Sequence, residues 1–237
     1  MLPHLFEYLE KYGAPFLLVV QMDGSHYPYN IHSPDSLKRF LPEESPNGIN
    51  AFDNTLLVTD IYLARFYHYL TYHFPHTWMF FSPDHGQNFG RLNGRFNDNF
   101  KPDVWHNPLI VFPPQHDTVH VKTLRKNKDR LTSQSDIFAT ILDLAGIPPQ
   151  YPIDAVSLLD TLRPHDFVTC MEYMPTFHND PSGIVVDTAL QTLFIDFSKG
   201  AVTDYRTGRS YRYDRLEPAI RQMLDQRLRR KEPGKEL

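Results

Sequence analysis

"MFFSPDHGQNFG", residues 79–90, is the stretch on which both the fold and the chemistry of this chain turn. An apolar run with the composition of a β-strand stops at Ser82 and Pro83, then releases Asp84, His85 and Gly86 side by side. A strand ending in an acid and a histidine is either a metal site at a sheet rim or an ordinary surface turn. The dipeptide alone does not choose: 20 Asp and 12 His in 237 residues give roughly one Asp-His pair by chance, and the chain has one. The surroundings must decide.

Working outward, the neighbouring segments alternate between strand-like and helical patterns. "PFLLVVQM" (15–22) is a continuous apolar run that predicts a strand buried on both faces, leading into "DGSHYPY". Before it, "LFEYLEKYG" predicts a short helix closed by Gly13. A proline-rich loop follows, and then residues 49–74 carry Phe52, Leu56, Leu57, Leu63, Phe66, Tyr67 and Leu70 at helical spacing up to Pro75. "TWMFFS" (77–82) and "PLIVFPP" (108–114) predict a second and a third strand. "SQSDIFATILDLAGIPP" (133–149) predicts a helix capped by Ser133 or Ser135 and stopped by Gly146 and Pro148. Beyond it, "DFVTCMEY", "GIVVDTALQTLFIDF" and "AVTDYRTG" predict short hairpin strands, and residues 216–231 a terminal helix.

Strands alternating with long helices over residues 1–150 predict an α/β fold, a mostly parallel sheet flanked by helices. Residues 151–237 predict an antiparallel edge or subdomain of the same domain. The net charge of −4 offers no basic stripe for nucleic acid. Cys170 is the sole cysteine, so an intramolecular disulfide and a thiolate zinc cluster are both excluded, and its strand context predicts a buried, inert thiol. No apolar stretch reaches the length of a membrane span, and "MLPHLFEYLEKYG" lacks the basic start and apolar core of a signal peptide.

In open α/β sheets, ligands bind at the carboxyl ends of parallel strands. Two of the predicted strands deliver polar groups there: Asp23, Gly24, Ser25 and His26 after the first, and Asp84, His85 and Gly86 after the second. Carboxylate oxygen and imidazole nitrogen suit zinc, and a catalytic zinc keeps one position open for substrate.

Taken in order, "GSHYPY", "INAFDNTLLVTDIYLARFYHYL", "FFSPDHGQNFG", "HNPLIVFPP" and "SQSDIFATILDLAGI" resemble the sulfatase-type branch of the alkaline phosphatase superfamily. Within it, the resemblance points to the phosphoethanolamine transferases that modify bacterial lipopolysaccharide, and it runs over about residues 16–147. It implies an alkaline phosphatase-like sheet, with Asp84 and His85 binding the catalytic metal, normally zinc. His26 matches a histidine that faces the substrate phosphate or joins a metal site. Asp53 and Asn54 match a structural helix-start pair, Asp53 as a helix-capping acid. Asn93, in "RLNG", stands where a substrate-side histidine is usual, Gln87 replaces a usual glutamate, and Pro83 a usual serine. His106 is expected as a packed or capping group.

The resemblance also implies a nucleophilic threonine ahead of the glycine-serine-histidine motif. The 23 residues before Gly24 offer none, so the nucleophile is expected upstream of Met1 and this chain is expected to be inactive alone, with weak zinc affinity. The implied partners of the parent enzyme are a phospholipid donor and a lipopolysaccharide-type acceptor at the periplasmic face of the inner membrane. Two other functions stay open, a sulfatase-type ester hydrolase and a non-catalytic sulfatase-like binding or regulatory module. Nothing beyond a turn is expected of Arg163 and His165, and the basic C-terminal helix is expected to pack on its own domain rather than on a membrane.

Overall fold

The computed structural model describes residues 2–87, 89, 102–153, 155–162, 165, 168–170, 183–188, 191–196, 201–204, 209–216, 218, 221, 222 and 225. The chain divides into two compact units. The first comprises Met1–Phe81, Phe89–Gly94 and Ile110–Thr118; the second comprises Ser82–Asn88, Arg95–Leu109 and Val119–Leu237. Asn93 and the "RLNG" segment lie outside the described residues.

The first unit is built on two helices and a ribbon. Helix α1 (Leu2–Tyr12) ends where Gly13 takes a left-handed φ of 66° and donates its N–H to Leu9 O at 2.8 Å. Helix α2 (Ile49–His73) is 25 residues long and stops before Pro75, which has no N–H to continue the ladder. Strands β1 (Met79–Phe81) and β2 (Ile110–Phe112) pair antiparallel with Met79 opposite Phe112. These elements converge on Leu9, Tyr69, Leu70 and Met79, with Phe6, Phe16, Leu18, Phe74 and Phe112 packed around them. Phe6 stacks on Tyr69 with ring centroids 3.9 Å apart, and the Tyr69 hydroxyl donates to Phe6 O at 3.2 Å.

The expected strand 15–22 forms no ladder among the described residues. Phe16 and Leu18 pack on the core while Leu17 and Val19 are 71% and 85% exposed, so the run is buried on one face, not two. An unbroken apolar run and a half-buried one look alike when the outward positions are also apolar. The parallel pairing expected of the sheet is therefore not what the described strands show. Every described pair is antiparallel.

Asn54 organises the long loop before α2. It is fully buried and accepts from the N–H groups of Arg39 (2.8 Å) and Phe40 (3.0 Å) while donating to Phe40 O (3.0 Å) and Glu43 (2.8 Å). Both lone pairs of one amide oxygen and both hydrogens of its nitrogen are used. Glu43 in turn pairs with Lys38 at 2.8 Å, and Lys38 also reaches Asp35 at 3.1 Å. The Lys38 ammonium holds the Glu43 carboxyl below its usual range, and Glu43 followed by Asp35 raises Lys38. Asp53 is not the expected cap: Gly48 holds the N-cap position and Asp53 lies beyond it, inside α2.

The second unit holds α3 (Pro102–Trp105), nearly all of α4 (Thr118–Asn127), α5 (Ser135–Leu144) and an antiparallel meander. The meander strands are β3 (Val168–Cys170), β4 (Gly183–Thr188), β5 (Gln191–Asp196), β6 (Ala201–Asp204) and β7 (Arg209–Arg212), paired in that order. The antiparallel C-terminal part is thus as expected. Helix α5 stops where Gly146 takes φ 66° and donates to Asp143 O (3.0 Å), while Ile147 donates to Leu142 O (2.9 Å). At its start the N-cap position falls on Gln134, which makes no side-chain cap. Of the two expected serines, Ser133 accepts the Ser135 N–H on its hydroxyl at 3.4 Å and donates its own N–H to Asp136 Oδ2 at 2.8 Å. No helix among the described residues is long and apolar enough to cross a membrane.

Candidate functional site

Asp84 and His85 lie shortly after β1, in a turn that three hydrogen bonds tie to other segments of the second unit. Gly86 donates its N–H to Val104 O at 2.8 Å, Asn107 Nδ2 donates to Asp84 O at 3.3 Å, and the Gln134 amide donates to Pro83 O. Gly86 is required there by close approach, since a Cβ would sit 2.1 Å from the Asp103 carbonyl oxygen.

Within this turn, backbone hydrogen bonds fix both side chains. The His85 backbone N–H donates to Asp84 Oδ1 at 2.9 Å, leaving Oδ2 uncommitted on a side chain that is 90% exposed. His85 Nδ1 lies 2.9 Å from Gly86 O, a carbonyl that only accepts, so Nδ1 carries the proton. Nε2 is then the bare nitrogen, and it lies 3.9 Å from Asp84 Oδ2. A ring N–H fixed on a backbone carbonyl with the opposite nitrogen free is the arrangement that metal-ligating histidines use. The donor set fits zinc for two ligands, an oxygen and a nitrogen. Gln87 Oε1, buried and without a hydrogen-bond partner among the described residues, is a further oxygen in the same turn. The described residues contain no group of three or more His, Cys, Asp or Glu side chains able to hold a metal.

The other expected site residues distribute differently. His26 belongs to the first unit, where Asp23–His26 form a tight turn: Gly24 takes φ 48° and His26 donates its N–H to Asp23 O at 3.0 Å. Its ring stacks on Tyr27 at 4.7 Å, with Nδ1 2.7 Å from Tyr27 O, which likewise leaves Nε2 free of the proton. Ser25 Oγ is 2.6 Å from the buried Thr55 Oγ1, which tethers the turn to α2. His106 is exposed.

One arrangement escaped the sequence. Asp136, 1% exposed, takes His165 Nε2 at 2.7 and 2.9 Å on its two oxygens, along with the N–H groups of Ser133 and Val156 at 2.8 Å each. His165, expected to mark only a turn, is the hydrogen-bonding partner of a buried carboxylate. Twenty-nine residues separate the two, and nothing periodic links them in sequence. The signal that was available is an acid in the first turn of a helix, the position that favours negative charge. Beside this pair, Asn127, Arg130 and Asp160 line a cavity of about 20 Å³. That is room for one water.

A sequence model of the family described as Sulfatase matches residues 1–147. A comparison with curated proteins finds none that matches. The matched span holds the Asp23–His26 turn, α2, the Asp84–His85 turn and α5, and it implies an alkaline phosphatase-like α/β fold for that part of the chain. Residues 1–147 being well over half of 237, this chain belongs to the sulfatase family.

Proposed function

We propose that the Asp84–His85 turn is part of the metal centre of an enzyme acting on phosphate or sulfate esters, with zinc as the metal. The observation that carries this reading is the fixed tautomer of His85: Nδ1–H spent on Gly86 O, and Nε2 bare and 3.9 Å from Asp84 Oδ2. When bound, a zinc ion supplies Lewis-acid polarisation of an ester oxygen and lowers the pKa of an attacking hydroxyl. The chain's own residues hold and orient. Asp84 and His85 present an oxygen and a nitrogen, Gly86 locks their turn onto Val104, and Gln134 and Asn107 hold the flanking backbone. His26, with its bare Nε2, is proposed to face the transferred group, and Asn93 is proposed to bind substrate.

The reaction proposed for the parent enzyme is transfer of phosphoethanolamine from a phospholipid to a lipopolysaccharide-type acceptor at the periplasmic face of the inner membrane. The order of the "GSHYPY" and "INAFDNT" motifs supports it. Mass spectrometry of lipid A and core sugars, with and without the intact gene, tests this. Addition of phosphoethanolamine dependent on the gene is expected, whereas an unchanged glycolipid beside sulfate release from an aryl sulfate would assign sulfatase-type hydrolysis. Gln87 favours a second reading, a non-catalytic sulfatase-like binding module. A neutral amide stands where a carboxylate would add charge to the site.

A further inference from the structure

The first unit brings two histidines together far from each other in sequence. His76 lies between α2 and β1, and His116 follows β2. Because Met79 pairs with Phe112 at one end of the β1–β2 ribbon, the chain entering β1 and the chain leaving β2 emerge at the same end. Both departures are fixed by turns: Thr77 donates to Phe74 O at 3.0 Å on one side, and Asp117 donates to Pro114 O at 3.0 Å on the other. Pro114 is buried, which anchors the second turn.

At this end His76 Nδ1 lies 3.0 Å from His116 Nε2, with the two rings at 74° and their centroids 4.5 Å apart. Both side chains are exposed, so neither needs the other to satisfy its polar atoms, which water would serve. Two neutral imidazoles at this distance share one proton, one nitrogen donating and the other accepting. A metal ion can bridge the same two nitrogens from a point off the line that joins them. At a metal–imidazole distance of about 2.1 Å, nitrogens 3.0 Å apart subtend about 90° at the metal. That is the angle between neighbouring ligands in square-planar and octahedral coordination, the geometries of Cu(II) and Ni(II) sites with nitrogen ligands.

We propose that His76 and His116 form a two-imidazole surface site for a divalent first-row transition metal of the copper–nickel type, separate in its residues from Asp84 and His85. The remaining coordination positions face solvent and are taken by water or by a ligand from outside the chain.

The test is Cu²⁺ titration of the full chain carrying Asp84→Ala, followed by electron paramagnetic resonance, with His76→Gln and His116→Gln added singly. Both histidines are exposed, so neither substitution removes core packing, and circular dichroism checks that each variant is folded. The expected result is a tetragonal Cu²⁺ signal with hyperfine splitting from two nitrogens. Either Gln substitution should weaken its affinity at least about tenfold and reduce the splitting to one nitrogen. A two-nitrogen signal of unchanged affinity in both single variants overturns the proposal, as does the absence of nitrogen splitting in the Asp84→Ala parent.

Discussion

Gly86 lies so close to Asp103 that a methyl group on its Cα would stand 2.1 Å from the Asp103 carbonyl oxygen. The hydrogen bond from Gly86 N–H to Val104 O, at 2.8 Å, draws the two segments together and leaves no room for a side chain. Gly86→Ala must therefore move backbone, because a carbonyl oxygen has no rotamer with which to step aside. The expected outcome is a loss of about 1–3 kcal/mol in urea unfolding together with weakened zinc binding. Alanine at 86 with wild-type stability and zinc affinity would show that the turn is not held as described.

Asn54 makes a parallel case in the other unit. Its four hydrogen bonds to Arg39, Phe40 and Glu43 all lie at 2.8–3.0 Å, and its side chain is fully buried. Asn54→Ala leaves two backbone N–H groups and a carbonyl without their partner, and should cost about 3 kcal/mol by chemical denaturation. A cost under about 1 kcal/mol would mean water replaces the amide without penalty.

How far sequence reading reached differs between elements. Helices α1, α2 and α5 were legible because apolar spacing and a terminal glycine or proline act locally: Gly13 and Gly146 both sit at left-handed φ where a helix was expected to stop. The hairpins of the C-terminal meander were legible as short apolar, β-branched runs separated by turn residues. Residues 15–22 were misread because Leu17 and Val19 are apolar yet exposed, and composition carries no information about which face is covered. At the candidate site, Asp84 and His85 could be named from position after a strand. The tautomer of His85 could not, since it depends on where Gly86 O falls. Asp136–His165 and His76–His116 are contacts of 29 and 40 residues' separation, which only the folded chain brings together.

Titration should expose the Lys38–Glu43 pair. The Glu43 carboxyl is held below its usual range, chiefly by hydrogen bonding from Lys38, so its contribution is present above the ordinary carboxylate pKa and is lost as pH falls through the lowered value. Lys38 is raised, chiefly by Glu43, so its contribution is present below the ordinary ammonium pKa and is lost as pH rises through the raised value. The difference in unfolding midpoint between wild type and Glu43→Gln should stay flat from about pH 6 to 9 and shrink below about pH 4. A difference that grows toward acid would reverse the sign and remove the pair from the account.

Leu70 and Leu17 separate covered from uncovered apolar surface. Leu70 is 3% exposed in the core of the first unit and Leu17 is 71% exposed. Leu70→Ala should cost about 2–5 kcal/mol, while Leu17→Ser should lie within about 0.5 kcal/mol of wild type. Equal losses in urea unfolding would place residues 15–22 under cover that the structure does not give them.

Zinc titration by calorimetry bears most directly on the Asp84–His85 centre, performed on the chain carrying His76→Ala and His116→Ala so that the surface pair is silent. Two or three ligands predict weak but saturable binding, and adding Asp84→Ala or His85→Ala should each weaken it at least about tenfold. Zinc binding that survives both substitutions unchanged would contradict the assignment of Asp84 and His85 as metal ligands.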